Sequence, residues 1–371
     1  MFFVGVEHGT RSIRATIIDN FINEKNLLQE ESDTKGAVHF EVRRGGKKEP
    51  SFLSVLKQFA ELEEIALLCM TYSMGDDFSE ILPLKSLRNR GIKPPGGTGR
   101  MTGTGSRIFD ELRDSGLPAL AIPGMHRNST FLHPQFRLLY SHCGAPDKIC
   151  STYASYRYLR SCLTPPYRKE DISFINADVG ANTVSVLVVN GKVVGAVDAC
   201  LGACGLSMGP LDLKHIRKVD RGELTASDAF EISGVFKGEI MRELNGMETG
   251  VLYSDDVIYK IIEKKERAKE KLEALALSVA MEIKGLTAFS SVDAVIITGA
   301  GARIKKPVNF PLQVERCLKR KVFSLNHYSA SKGAALMARE IYTRYVKGEE
   351  DITLLGVPLN LLYLRNLIGD L

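Results

Sequence analysis

Residues 2–19 read FFVGVEHGTRSIRATIID, and residues 173–198 read SFINADVGANTVSVLVVNGKVVGAVD. In each, an apolar run ends in a carboxylate, then a glycine and a hydroxyl, and an alternating apolar strand follows. Glu7 and Asp178 hold equivalent places, as do Gly9 and Gly180. Alone, the first stretch is a hairpin with polar residues in its turn. The second use of the same grammar, continued across the hairpin signal Asn190-Gly191, marks one module used once in each half of the chain.

The residue types suit a phosphate grip. A carboxylate at the end of a buried strand can hold a hydrated divalent cation. Glycine lets the backbone turn tightly and approach a ligand, and the N–H groups of such a turn cradle phosphate oxygens. Thr10 and Arg11 in the first turn, and Ala181, Asn182 and Thr183 in the second, complete the candidate phosphate sites, with the hydroxyls as extra donors. Two such hairpins face to face would hold a nucleotide phosphate chain from both sides, with Mg on Glu7 and Asp178 through water. Downstream, SVDAVIITGAGARIKK (291–306) is a buried strand followed by Gly299-Ala300-Gly301-Ala302, small enough to lie against a flat ring or a ribose.

The chain has 371 residues, enough for two domains. Its 44% hydrophobic and 25% charged content is that of an ordinary globular protein. A net charge of +5 admits an anionic small ligand, and with no basic stripe it speaks against nucleic acid. No basic lead-in precedes an apolar signal segment, no run approaches a membrane span, and seven scattered cysteines suit a reducing cytoplasm. The expectation is a cytoplasmic protein without membrane or nucleic-acid partners.

These motifs resemble the acetate and sugar kinase, heat-shock cognate and actin superfamily. Its first phosphate loop (Asp-x-Gly-Thr) looks like residues 7–10, its second (Asp-x-Gly-Gly) like 178–181, and its adenosine loop (Gly-Gly-x-Ala) like 299–302. SASKGAALMAREIY (329–342) is similar to its closing helix. The resemblance implies an α/β, two-domain actin-like ATPase (ribonuclease H-like) fold with a duplicated mixed-sheet core and an interdomain nucleotide cleft. Domain I would be 1–170 plus 328–345, domain II 171–327, and 346–371 a C-terminal segment packed on a domain or a second subunit. It also implies ATP and Mg as cofactors. Glu7 for aspartate, and Ala181 and Ala300 for glycines, are departures that bear on phosphoryl transfer more than on binding.

A narrower resemblance lies in residues 94–112, 122–156 and 198–213, which look like the archaeal methanogenesis marker protein 12 family. Membership would imply a cytoplasmic protein of methanogens and no known reaction.

Other candidates lie off the hairpins. GGTGRMTGTGS (96–106) lacks a Walker ending and is either a surface loop or a flexible cover for an anion. His126 and Arg127 follow a strand and suit a base and a charge-offsetting group at a phosphoryl centre, with Arg137 and His142 near in sequence. The histidines lack zinc spacing. Cys200 and Cys204 in CLGACG sit where certain dehydratase-activating ATPases carry a cluster cysteine, but two closely spaced thiols are fewer than the four a cluster needs. Residues 254–289 read as one long helix, with a break expected at Gly285.

Three functions stay open. One is an ATPase or small-molecule kinase with an unknown acceptor. The second is a nucleotide-gated assembly or activation factor for a methanogenesis enzyme, with a homodimer among its expected forms. The third is a nucleotide-dead scaffold.

Overall fold

Apolar runs such as FFVGVEH and IALLCMT are buried along nearly their whole length, as strands covered on both faces must be. A computed structural model describes residues 1–9, 12–29, 35–43, 50–72, 78–89, 103–162, 171–240, 243, 255–325, 328–349 and 351–368. Thr10, Arg11 and residues 96–102 of the glycine-rich stretch lie outside the described residues.

The first sheet uses β1 (Phe2–His8), β2 (Ser12–Asp19), β3 (Ala37–Arg43), β4 (Ile65–Thr71), β5 (Leu82–Pro83) and β6 (Ala119–Ile122), in the order β3-β2-β1-β4-β6-β5. A small pair follows, β7 (Met125–His126) with β8 (His142–Gly144). The second sheet uses β9 (Phe174–Val179), β10 (Thr183–Val189), β11 (Lys192–Val197), β12 (Ala294–Thr298) and β13 (Phe323–Ser324), in the order β11-β10-β9-β12-β13. In both sheets three antiparallel strands continue into two parallel ones. The repeated sequence grammar is therefore a repeated topology. Asn190 and Gly191 both adopt positive φ, as the two-residue turn between β10 and β11 requires.

Helix Ser329–Val346 lies directly on β1. A Cβ on Gly5 would stand 2.0 Å from the Ser331 carbonyl oxygen, so only glycine admits this approach. The same helix meets helix Pro146–Cys162 at Gly333, where a Cβ would stand 1.9 Å from the Cys150 carbonyl oxygen. Through these two helices one apolar core joins Phe3, Leu67 and Leu120 of the first sheet to Phe174, Ile175 and Ile296 of the second. A separate core on the other face of the first sheet gathers Val4, Val6, Leu68 and Phe109.

One expectation changes. The long helix is interrupted between Glu263 and Ala268, with Arg267 left-handed, and runs on through Gly285 to Leu286. Residues 51–65 hold a short helix, Phe52–Leu56, and a 3₁₀ turn. The C-terminal segment packs on its own chain. β14 (Ile352–Leu354) and β15 (Val357–Leu359) form a hairpin whose Leu355 oxygen accepts from Val193 N and whose Pro358 oxygen accepts from Ile81 N. That hairpin thus ties both sheets. Among the described residues no helix is long and apolar enough to cross a membrane.

Candidate functional site

β1 and β9 end side by side at a shared cavity of about 90 Å³. Glu7, Gly9, Asp178, Gly180, Ala181, Asn182, Gly299 and Ala300 all line it, so three motifs distant in sequence converge on one place.

Antiparallel register sets Arg14 on β2 opposite Glu7 on β1, and the guanidinium pairs with Glu7 Oε1 at 3.3 Å. Glu7 is buried and, among the described residues, its Oε2 has no partner. Burial pushes its carboxyl up to about 7, against the pull of Arg14.

From the second sheet, Asp178 is the last residue but one of β9, and Gly299 directly follows β12 with φ 75°. A Cβ on Gly299 would be 2.4 Å from Asp178 Oδ1. Glycine here serves both the left-handed backbone and the seating of the carboxylate. The loop carrying Cys200 and Cys204 folds onto the second turn, with Ser207 N and Met208 N donating to the Ala181 oxygen.

Sequence reading missed the central cation. Lys148, in the first turn of helix Pro146–Cys162, donates to Asp147 Oδ2 at 2.6 Å and to Asp178 Oδ2 at 3.1 Å. Burial alone would lower its pKa, but the two carboxylates outweigh that and hold the ammonium above its ordinary range. The one local signal was the run Pro146-Asp147-Lys148, a proline and an acid that open a helix.

Other candidates are placed elsewhere. Thr183 is buried, and its hydroxyl donates to the Cys204 oxygen rather than lining the cavity. Thr183→Val is therefore expected to destabilise the fold by about 1–2 kcal/mol in urea titration and to leave nucleotide affinity unchanged; a selective loss of affinity would restore the phosphate-donor reading. His126 and Arg127 do not line the cavity either. The His126 ring bonds the Phe78 oxygen at 3.0 Å, and Arg127 is exposed. His142 faces Asp198 at 3.2 Å. Burial raises the Cys200 thiol to about 11 and also raises Cys204, so neither is an activated thiolate.

The Mg expected through water on Glu7 and Asp178 meets a donor set that is largely engaged, Glu7 Oε2 apart. Asp178 is held by Lys148, Glu7 Oε1 by Arg14, and an ammonium sits between Asp147 and Asp178. Among the described residues no three His, Cys, Asp or Glu side chains come together as metal ligands. As arranged, these residues do not fit a divalent ion.

Comparison with known proteins agrees with the architecture. A UPF0285 protein of Methanocaldococcus jannaschii is 34% identical over 361 residues, covering 97% of this chain and 99% of the relative. Among solved structures, a propionate kinase from Francisella tularensis is similar with a TM-score of 0.52 at 15% identity, covering 90% of this chain and 98% of the kinase. An acetate kinase from Porphyromonas gingivalis is similar with a TM-score of 0.51 at 14% identity, with the same coverage. At such identity the likeness is one of fold, the actin-like ATPase and kinase fold. No protein-family model matches the chain.

Proposed function

The chain belongs to the UPF0285 family, with relatives in methanogenic archaea, and on that premise we propose that it binds ATP in the cleft between its two sheets and acts as an ATPase or small-molecule kinase. The observation that carries this is the convergence of both hairpin turns and the Gly299–Gly301 turn on one cavity, with Arg14 and Lys148 as its cations. In this reading the phosphates lie between the turns at Gly9 and Gly180, and the adenosine lies along Gly299-Ala300-Gly301. Asp147, a carboxylate in the same cavity, orients the hydroxyl or water that attacks.

At about 90 Å³ the cavity is smaller than a nucleotide. In this reading the walls part when a nucleotide enters. The end of the glycine-rich stretch stands nearby: a Cβ on Gly105 would overlap the ring of His8, next to Glu7. The narrower membership, methanogenesis marker protein 12, rests on the quoted stretches alone.

Calorimetric titration tests the reading. ATP is expected to bind with micromolar affinity and AMP at least tenfold more weakly, because most contacts are to phosphate. Absence of ATP binding would leave the scaffold reading.

One observation favours a protein partner as well. An apolar groove of about 860 Å³ runs between helix Pro134–Leu139 and helix Ala268–Leu286, where Leu138, Leu139, Met281 and Phe289 are exposed. A nucleotide-gated assembly factor for a methanogenesis enzyme would use such a surface.

A further inference from the structure

We propose that Lys148 stands in the place of the divalent cation, so that this cleft binds a polyphosphate on a protein ammonium without a metal. This deepens the nucleotide reading and rests on it.

Lys148 comes from the start of a helix, yet it links the carboxylate of its own neighbour, Asp147, to that of Asp178 at the end of β9. The contact spans the two halves of the chain at the point where the phosphate turns meet. An ammonium carries three N–H donors. Two are used by Asp147 and Asp178, which leaves one for a phosphate oxygen.

The neighbourhood agrees with a resident cation. The cavity lining holds three carboxylates, Glu7, Asp147 and Asp178, against two cations, Arg14 and Lys148. Arg14 is committed to Glu7, with Glu41 beyond it at 3.6 Å. Asp178 has Lys148 on Oδ2, and Gly299 is packed against Oδ1. A magnesium ion demands near-octahedral oxygen ligands at about 2.1 Å and gives up its waters reluctantly. To enter it would have to displace the ammonium from both carboxylates or sit against a like charge in a buried space. A phosphate oxygen needs neither: it approaches Lys148 as a further acceptor.

The test is calorimetric titration of ATP into the full chain, in EDTA and in excess magnesium chloride. The expected result is two dissociation constants within tenfold of each other. A loss of more than tenfold in EDTA overturns the inference. Lys148→Met is expected to weaken binding in EDTA at least thirtyfold and to make what remains depend on magnesium, since two carboxylates then face each other without a cation. Wild-type affinity of that variant in EDTA also overturns it. Should the variant fail to fold, the wild-type pair of titrations decides. Binding in neither buffer overturns the nucleotide reading, and this inference with it; binding only with magnesium overturns this inference alone.

Discussion

Gly333→Val is expected to yield little or no folded protein. The first atom of the new side chain would stand 1.9 Å from the Cys150 carbonyl oxygen and 3.3 Å from Ala154 N. Both are backbone atoms of a helix, so no rotamer change relieves the overlap. Helices Pro146–Cys162 and Ser329–Val346 would have to separate, and the core residues Ile149, Cys150, Ala334 and Met337 would lose their packing. Overpacking by a single methylene already costs about 1–3 kcal/mol, and a backbone clash at a helix crossing exceeds that range. Against a total stability of roughly 5–15 kcal/mol the loss is disabling. Gly285→Ala is the matched control: a Cβ there meets nothing within 4 Å, and alanine in a helix interior should stabilise by about 0.5–1 kcal/mol. Thermal unfolding of the two variants checks this, and a Gly333→Val melt within a few degrees of wild type would refute the crossing as described.

Stability should also fall as pH rises from about 5 to 7.5, the reverse of ordinary acid unfolding. Burial pushes two carboxyls, Glu7 and Glu282, up to about 7. Glu282 accepts from Ala203 N beneath the Cys200–Cys204 loop. Each binds its proton more tightly in the folded chain than in the unfolded one, whose value is near 4.5. Between those values the native state carries more protons, so raising the pH favours unfolding. Each shift corresponds to about 3 kcal/mol, present below the unfolded value and lost by about pH 7. Glu7→Gln and Glu282→Gln should each flatten the slope by about half. Urea midpoints at several pH values would show it; variants with the wild-type slope would rule these two carboxyls out as its source. Glu7 also lines the cavity, so its charge near neutrality links stability to the site.

The sheets were legible because their cues are local. Apolar runs, Asn190-Gly191 and the paired carboxylate-glycine turns lie within a few residues of each other, and the strand orders repeat as the grammar does. The gathering of Glu7, Asp178 and Gly299 at one cavity follows from that duplication. Lys148 was not legible, since its tie to Asp178 depends on how a helix crosses the end of a strand in the other half. Neither was the interruption before Ala268, because KKERAK is made of good helix formers and contains no breaker. His126 misled for a related reason. Its position after a strand suggested a cleft, but its ring is tied to a carbonyl of residue 78.

The helix that covers β1 lies far downstream of it in the chain. At synthesis rates of ~5–20 residues per second, Ser329–Val346 leaves the ribosome roughly 15–60 s after Phe2–His8. Throughout that interval Phe3 and Leu67 have no lid, and Gly5 has no helix to receive. The core over β1 is begun first and closed only after every strand of the second sheet has been made. The apolar face of β1 therefore cannot complete its core until Ser329–Val346 has been made.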